Sequence, residues 1–277
     1  MKITLESCII QDIPTLSIAA SDAQNCPVIF FIHGFGGSKE DGFHLGYQLA
    51  QEGLFFLSFD PLYHGERYDP RLEHSADPNL GGIYPAETGM DTFMTMYRVI
   101  HQCLADTRLI ITHLAKDPRV DITHCGVTDP SMGGYARFLI FADLKEMIAA
   151  VPMIGIPKFF QRWKDLLDEC AYSNPAWSAA MGQVEDLTRE FTDFVQEIDP
   201  YPRLRAAAPR ALLILNCDFD SDQPKLYSIY TYRELLQDYQ STPENLQLRI
   251  YPAGHQVTPE MEKDAVNWLC RHLTKKG

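Results

Sequence analysis

Ser131 stands in the run Thr128-Asp129-Pro130-Ser131-Met132-Gly133-Gly134, between a strand-like and a helix-like stretch. A serine hydroxyl is a poor nucleophile at neutral pH. It needs a histidine as base, and the histidine needs a carboxylate to fix its tautomer and stabilise its cation. Both partner types follow later in the chain. "NCDFDSDQP" (216–224) offers Asp218, Asp220 and Asp222, and "YPAGHQVTPE" (251–260) offers His255. The order is serine, acid, histidine, each after an apolar run. A second requirement of acyl chemistry is a pair of N–H groups for a developing oxyanion. In "HGFGGSKE" (33–40) the glycines Gly34, Gly36 and Gly37 let backbone approach a ligand closely, so the Phe35 N–H can point at such an oxygen. The Met132 N–H opens a helix, where negative charge is stabilised. Each feature alone has a plainer reading: a serine N-cap, a glycine turn, a surface histidine. Three such loops in one chain carry the chemical reading.

Loops can meet only if regular elements bring them to one edge, and the chain alternates accordingly. Apolar, strand-like runs lie at 26–34, 54–60, 121–129, 147–155, 210–218 and 245–252. Helical spacing marks 42–53, 87–118, 132–143, 225–239 and 258–273, with Pro259 in the first turn of the last. Strands that are apolar throughout, separated by helices, predict a mostly parallel sheet covered on both faces. Segments 2–10 and 14–20 alternate as an antiparallel edge would. Residues 156–208 hold helical pattern without a strand, so they read as a helical lid inserted between two strands. Ligands of parallel sheets sit beyond the carboxyl ends of the strands, where such an insertion forms a lid or pocket wall. In it, Phe159, Trp163 and Trp177 are candidates to contact an acyl or aromatic group, or to pack the lid onto the body.

The 277 residues suit one large α/β domain, and 45% hydrophobic with 22% charged residues is a globular composition. A formal net charge of −13 argues against nucleic acid or an anionic membrane surface as partner. The opening segment reads as strand and not as a secretory leader, and no apolar run is long enough to span a bilayer. Seven scattered cysteines, with no metal-ligand spacing, point to reduced thiols in the cytoplasm.

On these motifs the chain resembles the α/β-hydrolases along its whole length. "HGFGG" resembles their oxyanion loop, "DPLYHGER" (60–67) their Asp-x-x-x-His-Gly loop, and "SMGG" their nucleophile elbow. "NCDFDSDQP" resembles their acid segment, which places the acid at Asp220, and "GHQVTPE" their histidine loop. Within that superfamily the loops look most like small bacterial serine esterases and dienelactone-hydrolase-like acyl hydrolases. The resemblance implies an α/β-hydrolase fold over 1–277 with the 156–208 lid, no cofactor and no metal, and a small-molecule acyl substrate; a homodimer stays open. It implies hydrolysis of a small carboxylic ester or thioester through an acyl-enzyme on Ser131, His255 and Asp220, with the Phe35 and Met132 amides binding the oxyanion. Gly34, His64, Phe159 and Trp163 are candidate substrate contacts. His64, with Asp60 and Arg67, also reads as a residue that shapes its loop, as does His33. A small peptidase or an acyl transferase fits the same triad.

The elbow departs from Gly-x-Ser-x-Gly at two positions, Asp129 and Pro130, and Asn216-Cys217 replaces the His-Gly of the acid segment. A carboxylate at 129 must find partners. If it bonds the Met132 amide, it half fills the oxyanion hole and leaves a weakened enzyme or a binding protein. If it turns to a neighbouring element, the triad is unaffected.

Overall fold

A computed structural model describes residues 1–68, 90–173 and 185–274. Its centre is an eight-stranded sheet in the order β1-β2-β4-β3-β5-β6-β7-β8. The strands are β1 (Ile3–Ile10), β2 (Ile13–Ala20), β3 (Cys26–Phe31), β4 (Phe55–Phe59), β5 (Val120–Pro130), β6 (Met147–Met153), β7 (Ala211–Cys217) and β8 (Leu246–Tyr251). β1 and β2 run antiparallel to their neighbours, and all other pairings are parallel. The antiparallel edge and the parallel body agree with the sequence pattern.

Alternate residues of each inner strand enter two different cores. Val28, Phe30, Phe55, Leu57, Val127 and Ile214 face one; Ile29, Phe31, Phe56, Val151, Leu213 and Leu215 face the other. Both faces are therefore dry, which is why these strands read as continuous apolar runs and not as alternation. Helices α1 (Phe43–Gln51) and α8 (Pro259–Leu273) cover one face through Leu45, Leu49, Trp268 and Leu269. The other is covered by α2 (Met90–Leu114) and α3 (Met132–Asp143).

Between β6 and β7 lie α4 (Phe159–Ser173), α5 (Glu185–Ile198) and a turn of helix, α6 (Tyr201–Leu204); α7 (Lys225–Leu235) follows β7. The inserted helices are joined to the body by buried rings. Tyr97 of α2 packs on Phe159 at 5.6 Å, on Trp163 at 6.4 Å and on Phe191 at 6.3 Å between ring centroids. Tyr135 of α3 meets Phe159 at 5.4 Å. The Trp163 indole N–H donates to Thr192 Oγ1 at 2.9 Å, which ties α4 to α5. Phe159 and Trp163 are both 0% exposed. The expectation that they contact substrate is corrected here: rings shared among four helices have no surface left to offer. Trp177 lies outside the described residues. No helix among the described residues is long and apolar enough to cross a membrane.

Candidate active site

Parallel pairing brings the loops together at one edge. β5 ends at Pro130 and α3 begins at Met132, so Ser131 alone makes the turn. Its backbone has φ 54° and ψ −119°, a left-handed conformation that a non-glycine residue adopts only when its surroundings impose it. The surroundings are tight. A Cβ on Gly133 would come within 2.2 Å of the Ile32 carbonyl oxygen, and one on Gly134 within 2.5 Å of the Met153 oxygen. Only glycine lets the helix start so close to β3 and β6. Ser131 N donates to Met153 O at 3.0 Å, fixing the turn from the β6 side.

Ser131 occupies the N-cap position of α3 but makes no capping bond with its side chain. Its Oγ lies 2.9 Å from His255 Nε2 instead. His255 Nδ1 lies 2.8 Å from Asp220 Oδ2. The other carboxylate oxygen, Oδ1, accepts the amides of Asp222 at 3.0 Å and Gln223 at 2.9 Å. Asp220 is thus buried with both oxygens engaged, whereas the His255 side chain is 32% exposed and reachable by a substrate. The two loops stay in register because hydrogen bonding continues past the strands: Asp218 N donates to Tyr251 O and Phe219 N to Ala253 O. Asn216 accepts the Cys217 amide and donates to Ser228 Oγ on α7, so it holds the end of β7. Thr258 caps α8 by accepting Met261 N–H at 3.3 Å, just after the histidine loop.

Asp220, Asp222 and His255 place potential ligand atoms within 4.8 Å of one another. Both Asp220 oxygens are committed, one to the imidazole and the other to two amides.

The glycine loop lies against Ser131: a Cβ on Gly34 would sit 3.6 Å from Ser131 Cβ. Phe35 follows it, half exposed. Among the described residues neither the Phe35 nor the Met132 amide donates to a protein acceptor. Two loops brace each other here. His33 is buried with Nδ1 2.7 Å from Gly34 O, and its ring lies 5.1 Å from that of His64. His64 is 4% exposed, has Nδ1 2.8 Å from Leu62 O, and meets the Phe35 ring edge-on at 5.1 Å. Burial holds both histidines below their usual pKa, so they are neutral near pH 7. The candidacy of His64 as a substrate contact is corrected: enclosed between His33 and Phe35, it shapes the loop. Arg67 donates to Asp60 O at 3.3 Å and to Asp106 at 2.5 Å, in keeping with the part expected of it.

Three supports went unseen in the sequence. Lys39 is buried, with Nζ 3.0 Å from Asp60 and 2.6 Å from Glu66, while its amide donates to Asp60 Oδ1 at 2.7 Å. Burial works against its charge, but the bonds to Glu66, Asp60 and Glu40 outweigh it and raise the pKa. Tyr135 donates to Gln223 Oε1 at 2.6 Å, and Gln223 N donates to Asp220, which links the helix after Ser131 to the acid loop. Tyr135→Phe leaves a buried amide oxygen without its donor and is expected to cost about 1–3 kcal/mol in chemical denaturation. The third is Arg137, fully buried in the otherwise apolar α3 and paired with Asp129. A lone arginine in such an apolar helix was a signal the sequence did contain.

The Asp129 carboxylate does not bond the Met132 amide. One carboxylate oxygen accepts the Ile32 N–H and the other meets the Arg137 guanidinium. Of the two orientations open to it, the structure has the one that spares the Met132 amide.

A mostly parallel eight-stranded sheet with two antiparallel strands at one edge, covered by helices on both faces, with a serine on a strained strand–helix turn, defines an α/β-hydrolase fold. No protein-family profile matches the chain. It is 22% identical to the Bacillus subtilis protein named "Putative esterase YitV" over 274 residues, 98% of this chain and all of the relative. Among solved structures, TT1662 from Thermus thermophilus superposes with a TM-score of 0.69 at 19% identity, with both chains fully covered. The "Putative Dienelactone Hydrolase" from Klebsiella pneumoniae superposes with a TM-score of 0.61 at 17% identity, covering 98% of this chain and 100% of that one.

Proposed function

We propose that this protein is a serine hydrolase of small carboxylic esters or thioesters, acting through an acyl-enzyme. The observation that carries the reading is the continuous line Ser131 Oγ to His255 Nε2 at 2.9 Å and His255 Nδ1 to Asp220 at 2.8 Å. In this reading His255 takes the Ser131 proton as Oγ attacks the acyl carbonyl. Asp220 holds the imidazole in the required tautomer and stabilises its cation. The Phe35 and Met132 amides receive the carbonyl oxygen as it gains charge. His255 then protonates the leaving alkoxide, and water repeats the sequence to release the acid. The names of two full-length likenesses, "Putative esterase YitV" and "Putative Dienelactone Hydrolase", support acyl-ester chemistry. The six described cysteines are free thiols, which fits a cytoplasmic location.

The binding-protein alternative rested on Asp129 filling the oxyanion site, and that carboxylate is engaged by Ile32 and Arg137. The test is turnover of p-nitrophenyl acetate, butyrate and octanoate. Acetate and butyrate are expected to be hydrolysed with the higher kcat/KM. A preference for octanoate contradicts a small acyl substrate. Transfer of the acyl group to an added alcohol in preference to water shows a transferase.

A further inference from the structure

We propose that Asp129 is a positioning residue for the oxyanion site, setting the spacing between its two amides, and that Arg137 is the countercharge that allows a carboxylate to do so. The inference rests on the reading of Ser131 as nucleophile. The backbone ladder between β3 and β5 ends at the pair Phe31 and Thr128. Beyond it β5 continues along β6, pairing Asp129 with Pro152 and Pro130 with Met153. β3 instead leaves the sheet to carry His33, Gly34 and Phe35 over Ser131. Ile32 is the first residue past the ladder, and the Asp129 side chain takes its N–H where the backbone of β5 no longer does. The carbonyl side of Ile32 lies against Gly133, at the start of α3. One residue is thus fixed on both sides, three positions before the Phe35 amide. Asp129 is itself three positions before the Met132 amide, and through Arg137 it is joined to the helix that Met132 opens. A glycine at this position offers no such bond.

The carboxylate and the guanidinium are both 0% exposed. A buried charge is tolerated only when paired and hydrogen-bonded. Burial opposes the charged form of Arg137, and the Asp129 carboxylate lies against it as the opposite charge. The pair therefore belongs to one device: an acceptor for Ile32, and a cation to balance it.

The experiment compares two double variants with no buried charge. Asp129→Asn/Arg137→Met keeps an acceptor for the Ile32 N–H, and Asp129→Ala/Arg137→Met removes it. Displacing an oxyanion donor by about 1 Å costs on the order of 10²-fold in rate. The asparagine variant is therefore expected to turn over p-nitrophenyl acetate with a kcat about 10²-fold above the alanine variant, at similar KM. Equal kcat in two folded variants overturns the proposal. A second measurement needs only the wild-type protein: the Ile32 amide proton is expected to exchange with solvent as slowly as those of β3. Exchange as fast as at Gly36, in the exposed loop, overturns the proposal too. Failure of the functional reading looks different: wild-type protein that neither hydrolyses the ester nor reacts at Ser131 with a fluorophosphonate, while the Ile32 exchange still decides the tether.

Discussion

Ser131→Ala is expected to reduce ester turnover by on the order of 10⁴- to 10⁶-fold while leaving the melting temperature almost unchanged. In the proposed mechanism the magnitude follows from removing the atom that forms the acyl-enzyme; what remains is binding and the oxyanion amides acting on water. Stability should survive because the hydroxyl caps nothing and holds no part of the fold. Its bond is to a half-exposed imidazole, and the turn is fixed by backbone bonds and by Gly133 and Gly134. Steady-state kinetics beside a thermal melt checks both halves. Residual turnover within tenfold of wild type contradicts Ser131 as nucleophile.

The second large effect falls on stability. Arg137→Leu should lower the folding free energy by about 3–5 kcal/mol, because it leaves the Asp129 carboxylate buried without a countercharge. In a protein of this size that is a fall of roughly 6–20 °C in melting temperature. Asp129→Gly, which restores the usual residue of the elbow, should destabilise by a similar amount, since it strands Arg137 instead. The substitution that would unblock the oxyanion site, had Asp129 faced Met132, is therefore expected to damage the protein. Replacing both partners by neutral residues should recover most of the loss. Melts of the singles and the double, followed by circular dichroism, give the answer. An Arg137→Leu protein that melts within 2 °C of wild type contradicts the buried pair, where roughly 2 °C is the smallest shift expected from 1 kcal/mol.

The sheet was legible because its inner strands are buried on both faces and its helices repeat at helical spacing. The antiparallel edge was expected from the two strand-like segments at the N-terminus, which pair as β1 and β2. Loop order singled out Ser131, Asp220 and His255, because three such loops in that order outweigh the plainer reading of each, and the fold brings their side chains within hydrogen-bond distance. The orientation of Asp129 was not legible. It depends on Ile32, 97 residues earlier in the chain, and on a pairing with Arg137 that no local pattern states. Lys39 was missed for the same reason: a lysine beside glutamate in a glycine loop reads as solvated, and only the folded chain supplies Asp60 and Glu66 around it. Phe159 and Trp163 show the limit of composition. Aromatic rings at helical spacing serve equally to line a pocket or to fasten a helix, and the choice here was made by Tyr97, Tyr135 and Phe191 from three other helices.

Acylation of Ser131 Oγ is tested most directly by acid-quenching the protein within milliseconds of mixing with p-nitrophenyl butyrate and mapping the modified peptide by mass spectrometry. The expected result is one butyryl group on the peptide containing Ser131, formed in a burst of p-nitrophenol and lost as turnover proceeds. Turnover without any adduct on that peptide, or with the butyryl group on another residue, contradicts it.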